Sequence, residues 1–110
     1  TWIKILSEQT LRDNSAVFGS FDAMPKHALT MGIGTILDAR RCLLLAFGPA
    51  KVRAVEHMVE GPLAAICPGS ALQLHPRATV ILDENSSAGL HYADHYRWVD
   101  SHKLDWQRNG

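Results

Sequence analysis

The chain has 110 residues, of which 46% are hydrophobic and 20% charged, the composition of an ordinary globular protein rather than a disordered or fibrous one. Its 11 basic and 11 acidic side chains cancel, so no global field draws it to nucleic acid or to an anionic membrane surface. The length suits a single domain, residues 1–110, and apolar runs such as Cys42 to Phe47 fall far short of the roughly 20 residues that cross a bilayer.

The chain opens Thr1-Trp2-Ile3-Lys4, without an initiator Met or a signal-type stretch, and is expected to be a piece of something longer. Ser7 is the expected N-cap of a helix from Glu8 to Phe18, with Leu11, Ser15 and Phe18 on one side and Gly19 as its stop. After Pro25, the residues Ala28-Leu29-Thr30-Met31 read as a short strand, which ends in the turn Gly32-Ile33-Gly34. A short helix over Thr35 to Ala39 follows. Cys42-Leu43-Leu44-Leu45-Ala46-Phe47 is continuously apolar, as in a strand buried on both faces of a parallel sheet.

Gly48 and Pro49 open the next helix in the favoured order. Its Val52, Val55 and Val59 recur on one face, with Arg53, Glu56, His57 and Glu60 expected outward, and Gly61-Pro62 closes it. Pro68 to His75 should hold another short helix, Ala78 to Leu82 a second buried strand, and Asp83 to Ser87 a polar turn. Leu90, Ala93, Tyr96 and Val99 mark a last helix, and Asp105 to Gly110 reads as a tail that needs a partner surface to order. Three strands alternating with helices predict an α/β, Rossmann-like fold: a mostly parallel sheet flanked by helices, with ligands bound at the carboxyl ends of the strands.

The strongest local signal is the strand that turns through Gly48-Pro49-Ala50-Lys51 into a helix, because such an end presents backbone N–H groups to an anion. Lys51 in the first turn is unfavourable beside the positive end of the helix dipole, and a bound phosphate would remove that conflict; a solvated lysine is the alternative. Gly32, Gly34 and Thr35 form a possible ligand loop after a strand, but Leu37 stands where the third glycine of a dinucleotide fingerprint belongs. These glycines are expected to allow a tight turn and close backbone approach, with Thr35 capping the helix after it.

His91 and His95, at i and i+4 beside Asp94, have a metal-type spacing without a third ligand and are read as a solvated helix face. His75 is expected to cap a helix end by bonding its free carbonyls. Asp83 and Glu84 point to opposite faces of a strand end and read as a turn cap rather than an acid/base pair. Cys42 and Cys67 form no CxxC or disulfide pattern and are expected as reduced thiols, which suits a cytoplasmic location.

Taken together, Pro25-Lys26-His27-Ala28-Leu29-Thr30-Met31-Gly32-Ile33-Gly34-Thr35-Ile36-Leu37-Asp38-Ala39, Gly48 to Lys51, Val59-Glu60-Gly61 and Leu72-Gln73-Leu74-His75-Pro76 resemble glucosamine-6-phosphate deaminase. The resemblance runs in order from Thr1 through Asp83-Glu84. It implies the C-terminal half of the fold shared with ribose-5-phosphate isomerase and the CoA transferases. It also implies an aminosugar 6-phosphate as ligand, and no metal or organic cofactor. The family lysine that contacts the substrate phosphate maps onto Lys51, with Gly48 in the same segment.

Three family arginines are replaced, by Trp2, Leu11 and Ala16. The one at Ala16 is a phosphate ligand in the family, so its loss should weaken sugar-phosphate binding by about 1.5–3 kcal/mol. The one at Trp2 pairs in some members with the residue matching Lys4 in a regulatory site, which is not expected to operate here. The family's general base, ring-opening histidine and first phosphate loop match nothing in these residues, so the chain is expected to be inert as a deaminase by itself. A homo-oligomer or a complementary N-terminal half is the expected partner, because a cut sheet leaves apolar surface uncovered.

Overall fold

Residues 1–108 are described in a computed structural model, and among them four strands pair as two separate two-stranded sheets. One sheet belongs to a unit made of Thr1–Ala39 and the other to a unit that begins at Arg40. The architecture is α/β, but the single, mostly parallel sheet expected from the sequence is not what forms.

In the first unit, β1 (Trp2–Ile5) pairs antiparallel with β2 (His27–Thr30), in the register Trp2 with Thr30 through Ile5 with His27. The Leu6 N–H extends this ladder to the Lys26 carbonyl at 2.8 Å. Between the strands, α1 (Glu8–Asn14) starts at Ser7, whose Oγ accepts the Thr10 N–H at 3.1 Å and so satisfies one orphan donor of the first turn. The helix tightens into a 3-10 turn over Ser15–Phe18 and stops at Gly19, whose φ of 85° no L side chain adopts readily. A last helix, α2 (Ile33–Leu37), begins two residues earlier than the Thr35 start expected. Leu11 and Met24 are the buried apolar residues of this unit, while every residue of β1 is exposed.

The second unit is the better packed one. β3 (Cys42–Ala46) pairs parallel with β4 (Ala78–Leu82), and the crossover between them contains α3 (Val52–Val59) and a 3-10 helix over Pro68–Leu74. Val55 and Met58 of α3 are buried with Cys42. Gly69 lies so close to α3 that an added Cβ would come within 3.1 Å of the Met58 sulfur. The free carbonyls at the end of α3 are taken by Gln73, whose Nε2 donates to Met58 at 2.8 Å and Gly61 at 2.9 Å.

Two further expectations fail for physical reasons. The run Cys42 to Phe47 has one face covered rather than two: Leu43 is 65% exposed, Leu45 56% and Phe47 54%, because the sheet is two strands wide with a helix layer on one side. The tail from Asp105 is also not structureless. After α4 (Ala93–Ser101), Asp105–Arg108 forms a short helix, α5, whose start is capped where the Leu104 N–H reaches Gln107 Oε1 at 2.9 Å. The rest of that expected tail, 109–110, lies outside the described residues.

Candidate functional site

The elbow that joins β3 to α3 is the best-built end of the parallel sheet. Gly48 takes φ 88° and ψ 161°, a conformation that requires glycine, and Pro49 begins a 3-10 turn that runs to Lys51. The Lys51 N–H closes this turn on the Gly48 carbonyl at 3.2 Å. Lys51 is exposed, and no side chain caps the helix start at either Gly48 or Lys51. Below it, Lys51 borders a groove of about 430 Å³ lined by Leu44, Ala46, Ala54, Val55 and Met58.

Asp83, just past β4, was read from the sequence as a turn cap, and it is one that also reaches across the sheet. Its carboxylate accepts the Ser86 N–H at 2.7 Å and the Gly48 N–H at 3.1 and 3.2 Å. Ser86 is fully buried; its Oγ accepts the Asp83 N–H at 3.1 Å and donates to the Ala46 carbonyl at 2.8 Å. The hydrogen bonds from Ser86, with that from Gly48, outweigh desolvation and hold the Asp83 carboxyl below the usual carboxylate range. The Gly48 amide, expected to be open to an anion, is therefore already engaged by an internal one.

At the far end of α3, Glu60 does not face outward as its helical phase predicted. Its side chain is 7% exposed and gathers the residues that precede and begin α4. The Glu60 carboxylate accepts from the His91 N–H at 2.7 Å, the Tyr92 N–H at 3.0 Å and the Tyr96 hydroxyl at 2.9 Å, with His91 Nδ1 at 3.2 Å. Burial pushes this carboxyl up, but the four hydrogen bonds together hold it below its ordinary value. Helix periodicity cannot see a loop 31 residues downstream that folds back on the helix end.

The histidines lie differently from expectation as well. His91 sits in the turn before α4 rather than on it and is directed to Glu60, while His95 stacks near Trp98 with ring centroids 6.5 Å apart. His75 does end the Pro68–Leu74 helix, but there its backbone N–H donates to the Leu72 carbonyl at 3.0 Å, while its Nδ1 accepts the Arg77 N–H at 3.0 Å and so fixes the turn into β4. Cys42 is buried, Cys67 half-buried, and neither forms a disulfide among the described residues. No group of three metal-ligating side chains occurs among those residues.

Gly32, Gly34 and Thr35 lie together in the first unit. Gly32 is the N-cap of α2 with φ −69° and ψ 158°, so Thr35 stands inside the helix and does not cap it. A Cβ on Gly32 or Gly34 would meet no atom within 4 Å, so neither glycine is needed here for a strained turn or a close approach. Trp2 is 57% exposed with the Lys4 ammonium 4.3 Å from its ring centroid, a cation–π contact at the first of the positions where the resemblance implies an arginine. Leu11, at the second replaced arginine, is buried, and Ala16, at the third, is exposed. No helix of the described residues is long and apolar enough to cross a membrane.

No family model matches the chain. It is 54% identical over 108 residues to the glucosamine-6-phosphate deaminase of Streptomyces coelicolor, covering 97% of this chain and 41% of that protein. The enzyme of the same name from Hahella chejuensis is 53% identical over 104 residues, with 94% and 40% covered. Among solved structures, a monomeric glucosamine-6-phosphate deaminase of the NagB superfamily superposes with a TM-score of 0.78 at 44% identity, over 81% of this chain and 37% of that one. The chain thus spans about 40% of the length of the curated relatives it matches.

Proposed function

The chain belongs to the glucosamine-6-phosphate deaminase family, and from that premise we propose that it is the phosphate-binding C-terminal portion of an aminosugar-phosphate deaminase/isomerase, with Lys51 as the phosphate anchor. The observation that carries this reading is the placement of Lys51. Lys51 is exposed at the end of the 3-10 turn that follows β3, at the start of α3, where the helix dipole and the cation both favour a phosphate. Gly48 contributes through the backbone conformation it permits. Gly32, Gly34 and Thr35 remain candidates for a ligand loop, supported by their position after β2 and by the open space around them.

On this reading the 110 residues, acting as a single domain, bind an aminosugar 6-phosphate weakly and do not turn it over alone, because the acid/base groups of the chemistry correspond to other parts of the family chain. Turnover requires those parts, on the same polypeptide or another. The uncovered face of Leu43, Leu45 and Phe47 supports association with such a part or with a second copy, in a cytoplasmic setting.

The second reading is a diverged, non-catalytic sugar-phosphate-binding or oligomerisation module, favoured by the loss of the arginines at Trp2, Leu11 and Ala16. Amide NMR spectra recorded during titration with glucosamine 6-phosphate, with glucosamine as control, separate a phosphate-binding portion from an oligomerisation module. Shifts centred on Gly48 to Lys51 that need the phosphate support the first reading, and a dispersed spectrum that ignores both sugars supports an oligomerisation module.

A further inference from the structure

Lys51 can serve as an anchor only if the elbow beneath it keeps one conformation, and glycine alone does not ensure that. Gly48 populates positive and negative φ with similar ease, so its φ of 88° has to be held by something outside the residue. The orientation of the Gly48 peptide in turn sets the direction of the Pro49–Lys51 turn, since the Gly48 carbonyl accepts the Lys51 N–H and Pro49 has a fixed φ.

We propose that Asp83 is the positioning residue of the phosphate site: its carboxylate holds the Gly48 N–H, locks the elbow that aims Lys51, and keeps that amide out of the set that meets the phosphate. The inference rests on the reading of Lys51 as phosphate anchor. Asp83 can do this because it is itself fixed from both sides. The Ser86 N–H donates to the same carboxylate, and the fully buried Ser86 hydroxyl bridges the Asp83 N–H to the carbonyl of Ala46, the last residue of β3. Thus two side chains, Asp83 and Ser86, tie the carboxyl ends of both parallel strands to the elbow before the helix, the Asp83–Gly48 bond spanning 35 residues of sequence.

A second consequence follows from charge. With a carboxylate on the Gly48 amide, a phosphate placed in the elbow itself would meet a like charge at hydrogen-bond range, so the ligand is confined to the Lys51 side. This differs from a glycine-rich loop that wraps a phosphate in its own amides.

The test is an amide NMR titration of the full chain with glucosamine 6-phosphate, in wild type, Asp83→Ala, Asp83→Asn and Lys51→Ala. Asp83→Ala should move the Gly48 amide resonance upfield, leave the Val55 and Met58 amides in place, and weaken binding roughly three- to tenfold. Asp83→Asn retains an acceptor for one N–H and should recover most of the affinity, which loss of fold would not allow. Lys51→Ala should weaken binding roughly tenfold or more. Wild-type affinity in Asp83→Ala, or tighter binding as the freed amide joins the site, overturns the positioning role while leaving the Lys51 reading intact. A wild-type titration with no response overturns the Lys51 reading and this assignment with it.

Discussion

The two sheets have the same width and differ in what surrounds them. β1–β2 is an antiparallel pair with β1 exposed throughout, a form that tolerates water on its faces. β3–β4 is parallel, and its Leu44 and Ala46, half-buried, line a groove shared with Val55 and Met58, while Leu43, Phe47 and Ile81 are exposed, as is Leu45 at the groove's edge. Parallel pairs occur almost only where both faces are covered, so the bare face is what this sheet lacks rather than a surface it was built to expose. The difference teaches that the second unit joins a tightly hydrogen-bonded elbow to an apolar sheet face left bare, in a chain that spans about 40% of its relatives' length.

Core truncation should break the symmetry between the units most. Met58, 7% exposed against Gly69, should lose about 2–4 kcal/mol of stability as Met58→Ala in urea titrations, from lost transfer energy and the cavity left behind. Leu29 on β2, 75% exposed, should cost no more than about 0.5 kcal/mol as Leu29→Ala. Equal losses at the two positions would contradict the contrast drawn between them.

Polar clamps come next. Glu60→Ala should release the start of α4, seen as faster hydrogen exchange at the His91 and Tyr92 amides, with a smaller fall in the urea midpoint than Met58→Ala. The same clamps give a pH signature. Partial burial raises the Glu60 carboxyl but its hydrogen bonds outweigh that, Ser86 and Gly48 lower that of Asp83, and the Lys103 ammonium at 2.9 Å lowers that of Asp100. A carboxyl depressed in the folded state stabilises above its unfolded value of about 4 and loses that contribution as pH falls through the folded one. The urea midpoint should therefore be flat from neutrality down to about pH 5 and fall below about pH 4, with a shallower acid slope in Glu60→Gln.

The smallest effect on folding should come from the bare face. Leu43→Lys with Phe47→Lys should change the unfolding free energy from urea titration by less than about 0.5 kcal/mol, yet reduce self-association in light scattering across a concentration series. A wild-type chain that stays monomeric throughout would remove self-association as the use of this face.

Much of the second unit was legible because its signals are local. The run Ala78 to Leu82 and the strand from Cys42 stand out by apolar content, and Gly48-Pro49 punctuates the start of a helix whose valines recur at helical spacing. β1 was missed because Trp2-Ile3-Lys4-Ile5 is a four-residue stretch whose partner, His27–Thr30, lies more than 20 residues away. The same blindness to distance hid the polar contacts at the two ends of α3. Lys51 could be singled out from its place after Gly48, but the Asp83 carboxylate on the Gly48 amide and the Glu60 carboxylate under His91 and Tyr92 are contacts across 31 to 35 residues that no window of sequence contains.

Isothermal titration calorimetry of the wild-type chain and Lys51→Ala with glucosamine 6-phosphate, at low and high salt, tests the central claim most directly. The account predicts weak, salt-sensitive binding to wild type and a loss of roughly tenfold or more in the variant, as expected when a charged phosphate contact is removed. Binding that is equal in the two proteins, or insensitive to salt, would contradict a phosphate site at Lys51.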